Sequence, residues 1–194
     1  RVQPVPALIG FAEFFAMLAQ RVFPAASFIR NEDDFYYVKE PDIFHEIFGH
    51  TPLLADPRFA AFSQAIGKFG QVAKPADYPW LARLYWFTIE FGLTMDIDSC
   101  KPLGAGLMSS PSELVYAAES PIPERRPLQV LEVLRTPYRI DIHQPVYFVI
   151  DDLDELFTLA KTDLLAQVHQ AQALGLLPPH PLLKEPVNPI KEAS

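Results

Sequence analysis

The chain has 194 residues, of which 49% are hydrophobic and 21% are charged, and this composition predicts one globular domain with a substantial core. The formal net charge of −8 argues against a nucleic-acid surface, since phosphate binding relies on clustered Lys and Arg. The sequence contains no signal peptide and no stretch of roughly 20 apolar residues, so we expect no membrane binding. Cys100 has no second cysteine with which to pair, which fits a reducing cytoplasm.

The predicted secondary structure is mainly helical. Residues 10–23 carry apolar side chains at helical spacing, which predicts a mostly buried helix. Pro41 and Asp42 predict the start of a second helix, because proline suits a first helical turn and an aspartate can accept hydrogen bonds from its free N–H groups. Further helices are predicted at residues 57–70, at 79–93, directly after the capping sequence at 109–112, and at 151–174.

Strand-like alternation occurs late in the chain. Residues 138–141 and 145–150 alternate in this way and contain β-branched and aromatic side chains, so they predict a small β-hairpin. The predicted fold class is therefore mainly α, in the α+β sense, with that hairpin. Residues 1–177 are expected to form the single domain, and the prolines beyond it predict an extended C-terminal tail at 178–194.

Two histidines lie five residues apart in the predicted second helix, in the string HEIFGH that runs from His45 to His50. On a regular helix, with about 100° per residue, their side chains point roughly 140° apart. Both can reach one metal ion only if the helix ends or distorts near His50, and Gly49 permits such a distortion. The zinc-peptidase motif places its two histidines four residues apart, so the wider spacing argues against that class.

A carboxylate from another helix completes the candidate metal site. Glu90 has apolar and aromatic neighbours, and a carboxylate in such surroundings needs a partner, which a metal cation would provide. With His45 and His50 it would form the two-histidine, one-carboxylate arrangement of non-haem iron(II) oxygenases, which leaves one face of the ion open. Glu46 is expected to contact this site from outside the ligand set. Alternatively, Glu46 would be the general base of a zinc metallohydrolase.

Three ordered strings of this sequence resemble the aromatic amino-acid hydroxylases, a family of iron- and tetrahydropterin-dependent monooxygenases. The strings are PDIFHEIFGHTPL at 41–53, YWFTIEFGL at 85–93 and GAGLMSS at 104–110. The segment 138–151 is similar to the bacterial members that hydroxylate phenylalanine. The resemblance covers residues 4–174, and it implies that residues 1–177 form the helical catalytic domain of this family, with its first part upstream of residue 1.

The resemblance also implies a reaction and its cofactors. Iron(II), held by His45, His50 and Glu90, and a reduced pterin such as tetrahydrobiopterin would together activate the co-substrate O2. The expected reaction converts L-phenylalanine to L-tyrosine, with tryptophan or tyrosine as the alternative substrate, because pocket shape separates these and cannot be read from a sequence. A monomer is expected, with a dimer as the alternative, since proline-rich residues after Leu174 stand in place of the tetramerisation helix of animal relatives.

Four residues match the substrate side of the family's site. Arg30 matches the arginine that pairs with the substrate carboxylate, and a guanidinium fork is suited to a planar carboxylate. Pro41 and Trp86 match walls of the aromatic pocket. Ser109 matches a residue near His45 and the substrate, where its hydroxyl could orient the imidazole.

Three residues match the pterin side. Phe14 aligns with the aromatic residue that stacks on the pterin ring, and Glu46 and Tyr85 align with further pterin contacts, with Glu46 as the candidate catalytic residue. The chain departs from the family pattern at Val38, where many relatives carry threonine, and at Pro24, where animal enzymes carry histidine. These departures concern the affinity for substrate and cofactor rather than the metal site.

Overall fold

Helices form most of the fold in the computed structural model, which describes residues 1–6, 8–35, 40–96 and 99–184. The described α-helices are α1 (Phe11–Ala19), α2 (Ile43–His45), α3 (Thr51–Ala55), α4 (Pro57–Val72), α5 (Tyr78–Tyr85), α6 (Ala105–Met108), α7 (Pro111–Glu119), α8 (Val130–Arg135), α9 (Leu153–Leu159) and α10 (Leu164–Leu174). The π-helical turns Glu46–His50 and Trp86–Glu90 continue α2 and α5. The described strands are β1 (Val2–Val5), β2 (Phe23–Ala26), β3 (Leu93–Asp96), β4 (Ser99–Pro102), β5 (Glu124–Pro127) and β6 (Val146–Ile150). The predicted fold class, mainly α with a little β, is confirmed.

The strands form two small sheets. β1 and β2 pair in parallel, and the other four strands lie in the order β4-β3-β6-β5. β6 pairs in parallel with both β3 and β5, and all five of its residues are buried, as is usual for a strand covered on both faces. Leu93 of β3 lies opposite Val149 of β6, so the chain that leaves the second π-helical turn is fixed at once in the sheet.

Aromatic side chains dominate the core. Phe15 of α1 and Phe59 and Phe62 of α4 are at most 1% exposed. The two helices approach closely because Gly67 has no side chain, and a Cβ there would lie 2.3 Å from the backbone nitrogen of Ala19. This packing fixes α1 against α4, and Phe14 of α1 contacts Tyr85 at the end of α5.

One predicted strand is wrong. Residues 138–141 belong to an irregular loop between α8 and β6. The side-chain amide of Gln144 donates to the carbonyl oxygens of Arg139 and Ile142 at 2.7 and 3.2 Å, and these local bonds compete with strand pairing. An antiparallel pair of strands is present as predicted, but β3 and β4 form it.

The helix predicted at residues 151–174 is two helices, α9 and α10. The Thr162 hydroxyl donates to the carbonyl of Leu159 at 2.9 Å, where α9 ends. The carboxylate of Asp163 then accepts a hydrogen bond from the N–H of Ala166 at 3.0 Å and caps α10. The apolar spacing continues across both helices, so periodicity alone did not show the break.

The described part of the predicted tail packs on the domain. Nη1 of Arg139 donates to the carbonyl of Leu183 at 3.3 Å, Nε2 of His180 lies 3.5 Å from Oε1 of Glu124, and a 3-10 turn forms at Pro181–Lys184. Residues 185–194, like Val38, lie outside the described residues, so the division between domain and tail stays a prediction. In the described ranges, no helix combines the length and the apolar character that crossing a membrane requires.

Candidate metal centre and cavity

A π-helical turn brings the two histidines of the HEIFGH string together. In this turn the hydrogen bonds run from residue i+5 to residue i, as from the N–H of Thr51 to the carbonyl of Glu46. Side chains five positions apart therefore lie nearer one face than they would on a regular helix. The ring centroids of His45 and His50 are 4.7 Å apart. The distortion that the five-residue spacing predicted is present.

The second π-helical turn, Trp86–Glu90, ends in a carboxylate that faces both imidazoles. Oε1 of Glu90 lies 3.0 Å from Nε2 of His50, and Oε2 lies 3.5 Å from Nε2 of His45. Two imidazole nitrogens and one carboxylate from separate helices thus converge on one point. A single metal ion at that point could bind all three.

The hydrogen bonds of Ser109 determine the tautomer of His45. The Ser109 hydroxyl donates to the carbonyl of Ala105 at 2.9 Å, so its oxygen can only accept from Nδ1 of His45, which lies 2.7 Å away. Nδ1 therefore carries the proton, and Nε2, which faces Glu90, has a free lone pair. Ser109 holds the imidazole in the orientation and protonation state that a metal ligand requires.

Burial and charge act in opposite directions on the titratable groups of this site. Burial, together with the like charge of His50, lowers the pKa of His45 to about 4, so this ring is neutral at pH 7. Burial disfavours the charged forms of His50 and Glu90 as well, but their mutual attraction outweighs it. The pKa of His50 is therefore raised and that of Glu90 is lowered. The attraction that holds a proton between them would also hold a metal cation, since metal binding displaces protons from its ligands.

Glu46 lies beside the two histidines in a different environment. A carboxylate oxygen of Glu46 and one nitrogen from each of His45 and His50 lie within 4.8 Å of one another. Oε1 accepts a hydrogen bond from the N–H of Ala26 at 3.0 Å, whereas buried Oε2 has no such partner among the described residues. Burial raises the pKa of Glu46 to about 7. An unsatisfied oxygen in such a place calls for a ligand that is either a cation or a hydrogen-bond donor.

These side chains lie in the wall of a largely apolar cavity of about 320 Å³, a size that suits a small organic ligand. On one side Phe14 and Tyr85 meet edge to face with ring centroids 5.3 Å apart. On another, Trp86 and Tyr138 stack at 4.6 Å. The predicted site residues that border the cavity are Phe14, Pro41, His45, Glu46, His50, Tyr85, Trp86, Glu90 and Ser109.

Arg30 is the predicted site residue that does not border the cavity. Its guanidinium forms a bidentate ion pair with Asp42, at 2.7 Å from Nη2 to Oδ1 and 2.9 Å from Nε to Oδ2. Nη1 donates to the carbonyls of Ser109 at 2.8 Å and Phe35 at 3.4 Å. Burial would raise the pKa of Asp42, but its bonds to Arg30 and to the N–H of His45 lower it to about 2. The cap predicted for Asp42 is confirmed, and this residue also links Arg30 to the helix of the histidines.

Sequence reasoning missed several residues of the cavity wall, among them Phe91, Glu113, Tyr138 and Ile140. The sequence did contain a signal for Tyr138 and Ile140. The alternation at residues 138–141, which was interpreted as a strand, places these two side chains on the same face. Glu113 gave no signal, because an acidic residue in the first turn of a helix ordinarily serves to stabilise the helix.

A mainly helical fold with two imidazoles and one carboxylate at the wall of an apolar cavity fits a mononuclear non-haem metal site of the facial-triad class. Comparison with known families agrees with this class. Residues 1–169 match the family described as biopterin-dependent aromatic amino acid hydroxylase, and the chain belongs to that family.

Similar proteins include several phenylalanine hydroxylases. The phenylalanine-4-hydroxylase of Vibrio cholerae is 52% identical over 179 residues, which cover 92% of this chain and 62% of that protein. The apo structure of the cold-active phenylalanine hydroxylase from Colwellia psychrerythraea superposes with a TM-score of 0.91 at 46% identity, covering 96% of this chain and 73% of the other. The Chromobacterium violaceum enzyme with bound oxidised Fe(III) gives a TM-score of 0.87 at 40% identity, covering 91% of this chain and 65% of the other. The chain thus spans less than two thirds of the Vibrio cholerae relative.

Proposed function

We propose that this chain is the catalytic domain of an iron(II)- and tetrahydropterin-dependent monooxygenase that converts L-phenylalanine to L-tyrosine. The observation that carries the proposal is the convergence of His45, His50 and Glu90 at the wall of an apolar cavity. The similarity to phenylalanine hydroxylases supports the choice of substrate. Tryptophan and tyrosine are the alternative substrates for the same chemistry.

His45, His50 and Glu90 would hold the iron. Imidazole and carboxylate are the donor set that suits non-haem iron(II), and the bond from His45 to Ser109 leaves the metal-facing nitrogen free. When bound, iron(II) and the reduced pterin supply the electrons that activate O2 for attack on the substrate ring. A zinc hydrolase with Glu46 as general base is the alternative from another class.

Glu46, Phe14 and Tyr85 would form the pterin side of the cavity. Oε2 of Glu46, which lacks a partner among the described residues, would accept hydrogen bonds from N–H groups of the pterin. The ring of Phe14, held edge to face by Tyr85, would stack on the pterin. Apolar walls exclude water and so strengthen the few polar contacts that orient the cofactor.

Arg30 would bind the carboxylate of the amino-acid substrate. Asp42 holds the guanidinium plane by two parallel hydrogen bonds. Among the hydrogen bonds of Arg30 to described residues, the longest, 3.4 Å from Nη1 to the carbonyl of Phe35, is the one that a substrate carboxylate would replace. Trp86 and Pro41, which both border the cavity, would enclose the aromatic ring.

The proposed activity is tested with purified protein loaded with iron(II) and supplied with tetrahydrobiopterin, O2 and phenylalanine. Tyrosine should form, and His50→Ala should lose both the bound iron and the activity. His169→Ala is the matched control, because this imidazole is 60% exposed and lies outside the cavity, so it should retain both. Turnover at the parent rate by His50→Ala, or without iron, would refute the proposal. Zinc-dependent peptide hydrolysis without pterin would favour the hydrolase.

The protein is further proposed to act in the cytoplasm as a monomer. The single cysteine, Cys100, supports a reducing compartment. Light scattering on this chain should give a mass near 21.9 kDa. A tetramer would contradict the proposed assembly.

A further inference from the structure

One wall of the cavity comes from an irregular loop, residues 136–145, which connects α8 to β6. Tyr138 and Ile140 of this loop border the cavity. Tyr138 stacks on Trp86 with ring centroids 4.6 Å apart and an interplanar angle of 24°. The shape of the aromatic side of the cavity therefore depends on what fixes this loop relative to Trp86.

Gln144 fixes the loop from within. The residue is 1% exposed, and its Nε2 donates to the carbonyls of Arg139 at 2.7 Å and Ile142 at 3.2 Å. Its Oε1 accepts from the indole nitrogen of Trp86 at 3.4 Å. One buried amide thus connects the loop that carries Tyr138 to the indole on which Tyr138 stacks.

Glu113 of α7 anchors Gln144 in turn. Its Oε1 accepts from the N–H of Gln144 at 2.8 Å and from the hydroxyl of Tyr147 on β6, also at 2.8 Å. Glu113 is fully buried, and burial raises its pKa to about 7. A buried polar group costs stability unless it is hydrogen-bonded, and its hydrogen bonds then favour one arrangement of the surrounding chain. Here the arrangement that they specify is the cavity wall.

We propose that Glu113 and Gln144 are positioning residues that set the aromatic wall formed by Trp86, Tyr138 and Ile140, and so determine which ring the cavity accepts. This inference rests on the proposed function, because it assigns the fit of the ring to residues outside the metal site. Gln144 acts through the wall by holding the loop and the indole, and Glu113, which itself borders the cavity, holds Gln144.

The test compares Gln144→Met and Glu113→Gln with the parent enzyme, loaded with iron(II) and pterin. Methionine keeps the volume of Gln144 and removes its hydrogen bonds, so the KM for phenylalanine should rise about tenfold while kcat changes less than about threefold. The ratio of kcat/KM for tryptophan to that for phenylalanine should also rise, because a loosened wall admits a larger ring. Glu113→Gln, which keeps the acceptor oxygen, should shift both quantities in the same direction by a smaller factor.

Gln172→Met is the matched control. The amide of Gln172 donates to Asp77 at 2.9 Å and neither residue borders the cavity, so the loss of this bond should lower thermal stability and leave the KM and the substrate ratio unchanged. An unchanged KM and ratio in both test variants would overturn the inference, as would equal changes in the control. If Gln144→Met does not fold, Glu113→Gln decides.

A binding measurement separates this inference from the proposed function. The chain has two tryptophans, so Trp80→Phe leaves Trp86 as the sole reporter of indole fluorescence. In that background, Gln144→Met should shift the Trp86 emission and weaken the response to added phenylalanine. If the parent binds phenylalanine but is inactive, the proposed hydroxylation is refuted, and the inference about the wall is still tested by the Trp86 fluorescence. An active parent whose Trp86 signal ignores Gln144→Met would refute the inference alone.

Discussion

Replacing Glu113 with glutamine should make the stability of the protein less dependent on pH. Burial raises the pKa of this carboxyl from its ordinary value of 4.5 to about 7 in the folded protein, because no positive charge compensates the ionised form. In the unfolded chain the carboxyl titrates at its ordinary value. Between these two values the folded state binds more protons than the unfolded state, so the free energy of unfolding falls as the pH rises.

The size of the effect follows from the two pKa values. A full shift from 4.5 to about 7 corresponds to roughly 3.4 kcal/mol at high pH. Because the unfolded carboxyl is already partly ionised at pH 5, the change between pH 5 and pH 8 is about 2.5 kcal/mol. The titratable neighbours, Tyr147 and Tyr116, have pKa values above their ordinary value of 10.0 and stay neutral in this range.

The assay is urea unfolding of the metal-free parent and of Glu113→Gln at pH 5 and at pH 8, with chelator present throughout. The quantity of interest is the difference in the free energy of unfolding between the two proteins at pH 8, minus the same difference at pH 5. Any constant cost of the new buried amide group, which is about 1–3 kcal/mol, cancels in this subtraction. Between pH 5 and pH 8, the free energy of unfolding of the variant should rise by about 2.5 kcal/mol relative to that of the parent. A double difference within about 0.5 kcal/mol of zero would refute the reasoning that Glu113 is a buried, proton-binding group.

Two further predictions concern the metal site. Gly104→Ala should lower both the melting temperature and the iron affinity, because its Cβ would lie 2.1 Å from the carbonyl oxygen of Glu90. Gly67→Ala is the control: its Cβ would be similarly crowded, at 2.3 Å from the backbone nitrogen of Ala19, but away from the ligands, so it should lower the melting temperature alone. Iron titration against a competing chelator distinguishes the two variants. Ser109→Ala should weaken iron binding by about 10–100-fold in the same titration, since the bond that fixes the tautomer of His45 is lost, and unchanged affinity would contradict the assigned role of the hydroxyl.

The helical elements could be predicted because their signals are local. Apolar spacing found α4 within two residues of its observed end, and the Pro41-Asp42 pair marked the start of the histidine-bearing helix. Even the π-helical turn was implied, since the five-residue spacing of the histidines can serve one ion only on a distorted helix. The distortion was thus predicted because a regular helix does not allow two histidines five residues apart to bind one ion.

The missed features depend on partners that are distant in the sequence. Strand pairing was predicted within residues 138–150, but the first part of that segment is a loop, and it is bonded at Gln144 by Glu113, which lies 31 residues earlier in the sequence. β5 reads as the polar and proline-containing string ERRP, and it becomes a strand because β6 offers it a parallel edge. Asp42 was recognisable as a cap, whereas its ion pair with Arg30 had no local signature. Propensity is a weak guide wherever tertiary contacts determine the backbone.

The GAGLMSS string shows how much of the site depends on such contacts. Its glycines interrupt the helical pattern of the sequence, and in the fold α6 contacts both π-helical turns that carry the candidate ligands. A Cβ on Gly49 in the first turn would lie 2.7 Å from the carbonyl oxygen of Ala105, and one on Gly104 would lie 2.1 Å from that of Glu90 in the second. The backbone of this segment therefore lies close to the backbone of both turns. The close approach at Gly49 and Gly104 therefore helps to place His50 and Glu90, whose side chains then meet at 3.0 Å. Ser109 at the end of the same segment bonds His45, so the segment contributes to the metal site through both its backbone and a side chain.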